Sequence, residues 1–139
     1  MADAYADIAT YCEYPYIVRR RSGTRDTYDT ITNALSEIQQ RLNRNRFILQ
    51  VEAPRVGRAY AALLDQVRTI AGASIRAGWD QPARTPADGV NIADVNLTAI
   101  EPYERAFLTA AADHLSVLPW SLRAFGRWVR KPFERNSRP

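Results

Sequence analysis

The sequence predicts an all-α protein: an irregular bundle of two long antiparallel helices, two shorter C-terminal helices and a long extended connection. Three observations predict it. Apolar residues recur at helical spacing over 27–43 and 54–77. Alanines stand among them, favouring helix and letting helices approach closely. The chain has 139 residues, 46% of them apolar and 24% charged, which suits one soluble globular domain. No run reaches the roughly 18 to 20 apolar residues of a membrane span. Asp3 and Asp7 stand where a signal peptide carries basic residues, so export by that route is not expected.

The N-terminal stretch holds Tyr5, Tyr11, Tyr14 and Tyr16. Tyr5, Ile8, Ala9 and Cys12 predict a short helix over 2–13, which Pro15 ends because the residue before a proline avoids the helical region. Tyr16, Ile17 and Val18 read as extended, and 19–25 as a basic turn. The first long helix starts near Asp26 or Asp29, either of which can cap it. Ile31, Leu35, Ile38 and Leu42 form its narrow apolar stripe. Asn43, Arg44, Asn45 and Arg46 weaken or end it. The run Phe47, Ile48, Leu49, Gln50 and Val51 is read as an apolar connection covering the core.

Pro54 suits the first turn of the second long helix, where its missing amide costs nothing. Val56, Tyr60, Leu63, Val67, Ile70 and Ile75 hold its rhythm to about Ala77. Gly72 marks a close crossing, Gly78 a helix stop, and Trp79 folds back over the end. Over 80–97 the pattern is lost and turn dipeptides collect; Val90, Ile92, Val95 and Leu97 suggest an extended arm across the body. Thr98 and Glu101 match a capping box for a helix over 99–117, with Phe107 and Leu115 facing the core. Pro119 breaks it. A last helix over 120–130 carries Leu122, Phe125, Trp128 and Val129 opposite Arg123, Arg127 and Arg130. The organisation is thus a tyrosine-rich and basic segment over 1–26, a helical domain over 27–131 and a basic tail over 132–139.

The functional reading begins with what is missing. One cysteine, Cys12, and one histidine, His114, leave no disulfide, no thiolate metal cluster and few nucleophile–base pairings. Asp113 and His114 are adjacent, so on a helix they point about 100° apart. No phosphate-binding, hydrolase or metalloprotease motif is present. No catalytic residue, metal or cofactor is assigned. Of the 19 basic residues only Lys131 is lysine, and residues 117–139 hold six bases against Glu134 alone. The net charge of +4 is therefore a property of the tail. A basic amphipathic helix suits an acidic groove on a protein, a nucleic acid or an anionic surface.

The run Pro102, Tyr103, Glu104, Arg105, Ala106, Phe107, continuing through Leu115 to Pro119, resembles the late helix of tailed-phage neck adaptors, small helical proteins between portal and tail. The order of two body helices, a long irregular connection, this helix and a tail is similar too. The resemblance spans about 20 residues. It implies a ring-forming structural part of a virion head–tail connector, with no catalytic residues to carry over.

The expected function is a non-enzymatic structural or adaptor subunit of a multi-chain assembly, in the cytoplasm or in a virion. The alternatives are an arginine-rich nucleic-acid-binding subunit and an accessory subunit of an oligomeric enzyme. The candidate partner-binding residues are Tyr14, Tyr16, Arg19, Arg20, Arg21, Arg123, Arg127, Trp128, Arg130, Phe133 and Arg135. The partners expected are other chains of an oligomer or ring, with nucleic acid as the second class. Residues 5–16 and 133–139 are expected to need neighbours to order them, Leu122 and Phe125 to be core, and Trp128 to lie at the boundary.

Overall fold

The computed structural model describes residues 1–83 and 95–129, with side chains described as far as Ser116. All of its regular structure is helical: α1 (Ala2–Arg19), α2 (Arg25–Glu52), α3 (Pro54–Asp80), a 3-10 turn (Thr98–Ile100) and α4 (Glu101–Val129). The protein is all-α, with no strand among the described residues. Helix α3 touches each of the other three, and α1 and α2 also touch each other.

The N-terminal segment differs most from its sequence reading. Helix α1 does not stop before Pro15 but runs through it to Arg19, so Tyr16, Ile17 and Val18 are helical rather than extended. Ala4, Ile8, Tyr11, Pro15 and Val18 lie buried at spacings of four and three. A proline costs a helix interior about 3 kcal/mol. Packing of this stripe outweighs that cost, because burying each large apolar side chain contributes roughly 1.5–3 kcal/mol. Residues 5–16 therefore pack against the core of their own chain.

Helix α2 is capped by Thr24, not by Asp26 or Asp29; its Oγ1 accepts from the Thr27 amide at 3.4 Å. The helix does not end at 43–46. It continues to Glu52, and the supposed connection at 47–51 is its last turns. The stripe Ile31, Ile38, Leu42 extends to Leu49, seven residues beyond Leu42 and buried. The rest of that run points elsewhere: Phe47 is 69% exposed and Val51 66%.

Ala53 alone joins α2 to α3. The pairing beyond it runs from Gln50 beside Gly57 to Arg46 with Asp65 and Asn43 with Arg68. A Cβ on Gly57 would stand 2.7 Å from the Gln50 backbone, so glycine lets the two helices meet immediately after the link. At the far end Gly78 does not stop α3, which runs on to Asp80. Its missing side chain instead admits Val18, whose Cγ1 would lie 3.1 Å from an added Cβ.

Leading into α4, Val95 is buried and Leu97 packs on the core. The rest of the proposed arm, including Val90 and Ile92, lies outside the described residues. The capping box at Thr98 is not formed; the Thr98 amide donates to Asn96 Oδ1 at 3.0 Å, and the α-helix proper opens at Glu101. Pro119 does not divide the C-terminal region, because α4 is one helix to Val129. The carbonyl that a proline at 119 leaves unbonded belongs to Leu115, on an exposed residue where water can satisfy it.

Ile31, Ile38, Leu42, Val56, Tyr60, Leu63, Val67 and Phe107 form the core as expected, with Leu35 and Ile70 at its margin. Leu115 does not join them, being 55% exposed. In its place the core takes the α1 stripe, Leu49, Leu64, Ala71 and Ile75.

Candidate partner-binding surface

The candidate residues at the end of α1 divide between structural and exposed roles. Tyr14 is buried and stacks obliquely on Tyr11 at 6.3 Å between ring centroids. Arg19 is buried against Gly78. Arg21 works inside the fold. One guanidinium nitrogen donates to the Val18 and Gly78 carbonyls at 2.9 and 2.7 Å, and the other to those of Trp79 and Gln81 at 3.0 and 2.5 Å. The last carbonyls of a helix lack intrahelical partners and carry partial negative charge, so the cation satisfies both needs. The same guanidinium lies 4.7 Å from the Trp79 ring centroid, and Tyr28 meets that ring edge-on at 4.9 Å. Tyr16 is half-buried, leaving Arg20 as the exposed member of the set. Arg123, Arg127 and Trp128 stand on α4, where side chains are not described, and Arg130, Phe133 and Arg135 lie outside the described residues, as does the tail.

The polar groups at the other end of the bundle form a second cluster. Asp7 accepts from Arg41 Nε at 2.9 Å and from Asn45 Nδ2 at 2.8 Å. Asn45 thereby links α1 to α2 rather than ending a helix. Tyr60, wholly buried, donates to the Leu42 carbonyl at 3.5 Å, and burial pushes its phenol up to about 12. A groove of about 620 Å³ opens here, lined by Met1, Asp3, Asp7, Glu52, Ala53 and His114 among others. His114 is half-buried in it while Asp113 faces solvent, so the two do not act together.

A smaller groove of about 350 Å³ brings Cys12 beside Glu101 and Glu104. Burial, then the negative charge of Glu104 and Glu13, raises the Cys12 thiol to about 11. A nucleophilic cysteine needs the opposite surroundings, electropositive and favourable to thiolate. Glu104 also accepts from the Tyr5 hydroxyl at 3.4 Å, and its charge is the main reason that phenol is raised. Among the described residues no three of His, Cys, Asp and Glu are placed to hold a metal ion, and no helix is long and apolar enough to cross a membrane.

What the surface does offer is apolar area. Phe47 and Val51 stand on the outer side of α2, with Ile48 and Arg44 beside them. Leu108 and Leu115 stand out from α4, 48% and 55% exposed. Sequence reading missed these residues because it assigned the first pair to a core-covering connection and Leu115 to the core. The available signal was that the α2 stripe already passes through Leu42 and Leu49, which leaves Phe47 on the opposite face. Comparison of the chain with known protein families, characterised proteins and solved structures finds no match.

Proposed function

We propose that this chain is a non-enzymatic helical subunit of a larger multi-chain assembly, acting as a structural or adaptor part. The observation that carries the reading is the set of large apolar side chains, Phe47, Val51, Leu108 and Leu115, left in solvent by a bundle whose core is already closed. Apolar surface of this kind marks places where another chain docks. The interior chemistry supports it from the other side: the one thiol is held protonated, Arg21 is taken up by backbone carbonyls, and Asp7 by Arg41 and Asn45. The contacts of α2 with α3 support an antiparallel body. The resemblance of 102–119 to phage neck adaptors suggests a virion head–tail connector, with the cytoplasm or a virion as its location.

The nucleic-acid alternative leans on Arg19 to Arg25 and on the C-terminal set Arg123, Arg127 and Arg130; of the first group Arg19 and Arg21 are engaged within the fold, while Arg25 pairs loosely with Asp29 at 3.9 Å. Native mass measurement with negative-stain imaging tests the proposal. Particles containing several protein chains are expected. A protein that instead stays a single chain, and binds DNA or RNA with an affinity falling by orders of magnitude from low to moderate salt, overturns it.

A further inference from the structure

The α2–α3 hairpin ends in a surface that is both apolar and basic. Arg44, Phe47 and Val51 follow one another at spacings of three and four on α2, so they form one exposed ridge. Phe47 and Val51 are the most exposed large apolar side chains among the described residues. Gly57 sits against Gln50, which brings the first turns of α3 alongside the last turns of α2. Arg55 and Arg58 stand exposed there, three residues apart. From 41 to 58 the chain holds five arginines and one acidic residue, Glu52. Arg41 and Arg46 are paired with Asp7 and Asp65. Arg44, Arg55 and Arg58 make no ion pair or side-chain hydrogen bond among the described residues.

A second surface of the same chain carries the opposite charge. The groove beside Cys12 is edged by Glu101 and Glu104, and Glu13 stands exposed on α1 next to that cysteine. No Arg or Lys among the described residues pairs with these three carboxylates; Glu104 accepts only from the neutral Tyr5 hydroxyl. Apolar side chains accompany the charge here too. Leu108 lies one turn beyond Glu104 and Ile17 one turn beyond Glu13, both exposed. This surface lies between α1 and α4, whereas Phe47 and Val51 face away from the α2 stripe that packs on the core. The two surfaces share no residue, so one copy can use both at once.

We propose that the hairpin end of one copy of this chain docks on the α1–α4 surface of a second copy, head to tail. Charge complementarity selects this pairing. Two hairpin ends face to face set arginine against arginine, and two α1–α4 surfaces set glutamate against glutamate. Like charges across an interface suppress such pairings, and only the hairpin end on the α1–α4 surface joins opposite ones. The odd charge on each side fits as well: Glu52 is the acid of the hairpin end, and Arg105 is an exposed base beside Glu101 and Glu104. Phe47 and Val51 supply an apolar centre, and Leu108 and Ile17 are its counterpart. The arginine forks around that centre can each take a carboxylate through two parallel bonds. Aromatic and arginine side chains are also the types enriched where proteins meet. The two sides of such a contact differ, so it links copies in series.

This inference rests on the assembly reading and names its contact. The test is light scattering and native mass of the full chain, at protein concentrations from about 1 to 100 µM, a range spanning ordinary self-association affinities. Wild type is compared with two charge reversals: Arg55→Glu combined with Arg58→Glu, and Glu13→Arg combined with Glu101→Arg. All four residues are exposed in the single chain, so each variant should keep the helical circular dichroism of wild type. The expected result is a multi-copy wild type, two variants that are each one copy alone, and multi-copy species again when the two variants are mixed. In the mixture the reversed hairpin end of one variant meets the reversed α1–α4 surface of the other, and the native pair of surfaces is present too. Neither a folding defect nor a contact elsewhere gives that recovery. A mixture that stays at one copy while wild type assembles overturns the head-to-tail contact. Either variant alone as oligomeric as wild type overturns it also, and both results leave the assembly reading standing. A wild type that is one copy at every concentration overturns self-docking, and the assembly reading is then judged on different partner chains alone.

Discussion

Cys12 shows how a residue with reactive chemistry is held inert by its position. The thiol faces a groove between α1 and the start of α4, with Glu104 close by, and both burial and that charge favour its neutral form. Its value rises from an ordinary 9 to about 11. A group whose proton is held more tightly in the folded chain stabilises the fold fully below its unfolded value, and that contribution is lost as pH rises through the folded one. The window is therefore about pH 9 to 11. Urea titrations should show wild type losing more stability across that window than Cys12→Ala, while the two change in parallel below it. Equal pH slopes in wild type and variant would show that the thiol is not held protonated. Tyr60 behaves alike at higher pH, burial carrying it from 10 to about 12. Single-residue roles of this kind were partly legible in the sequence. Cys12 already stood at helical spacing with Tyr5, Ile8 and Ala9 in the sequence. The work of Arg21 was not legible, because its four carbonyl partners include three from residues 57 to 60 positions away.

At the scale of elements, periodicity located α2 and α3 and misplaced their ends. Each error arose where a local breaker opposed a longer stripe. Pro15, the 43–46 run, Gly78 and Pro119 all favour stopping a helix, and in each case the helix continues. In α1, α2 and α3 a stripe of buried side chains outweighs local propensity, which spans about 1 kcal/mol for most residues and 3 for proline. Glycines inside α3 show the same subordination of propensity to packing. Gly57→Ala should stabilise an isolated helix by about 1 kcal/mol. In the protein the added Cβ meets the Gln50 and Leu49 backbone at 2.7 Å, and backbone cannot swing aside as a side-chain end can. The variant is expected to be destabilised by about 1–3 kcal/mol, the usual range for overpacking. Gly72→Ala is the comparison, since its nearest atom there is the Tyr11 hydroxyl at an ordinary 3.6 Å. Thermal melts should place Gly72→Ala at or above wild type and Gly57→Ala clearly below. The reverse order would mean the α2–α3 link is loose.

For the whole molecule, α1 packs as part of the helical body. Composition set residues 1–26 apart, since four tyrosines and an arginine run read as contact residues rather than core. The helical stripe of α1 was concealed by its alanine and tyrosine content and by Pro15. In the bundle α1 packs on both α2 and α3 and supplies Ile8, Tyr11 and Val18 to the core, whose last member among the described residues is Phe107. Two truncations therefore have opposite outcomes. A chain of residues 1–116 retains every described residue of that core and should unfold cooperatively. A chain of residues 20–139 loses the α1 stripe and uncovers the faces of α2 and α3 beneath it. At roughly 1.5–3 kcal/mol for each large side chain, that loss is comparable to the 5–15 kcal/mol of a typical domain. It should show no cooperative transition by circular dichroism, or should aggregate. Full stability of the 20–139 chain would assign α1 to a neighbour's surface and return the N-terminus to the role that its composition suggested.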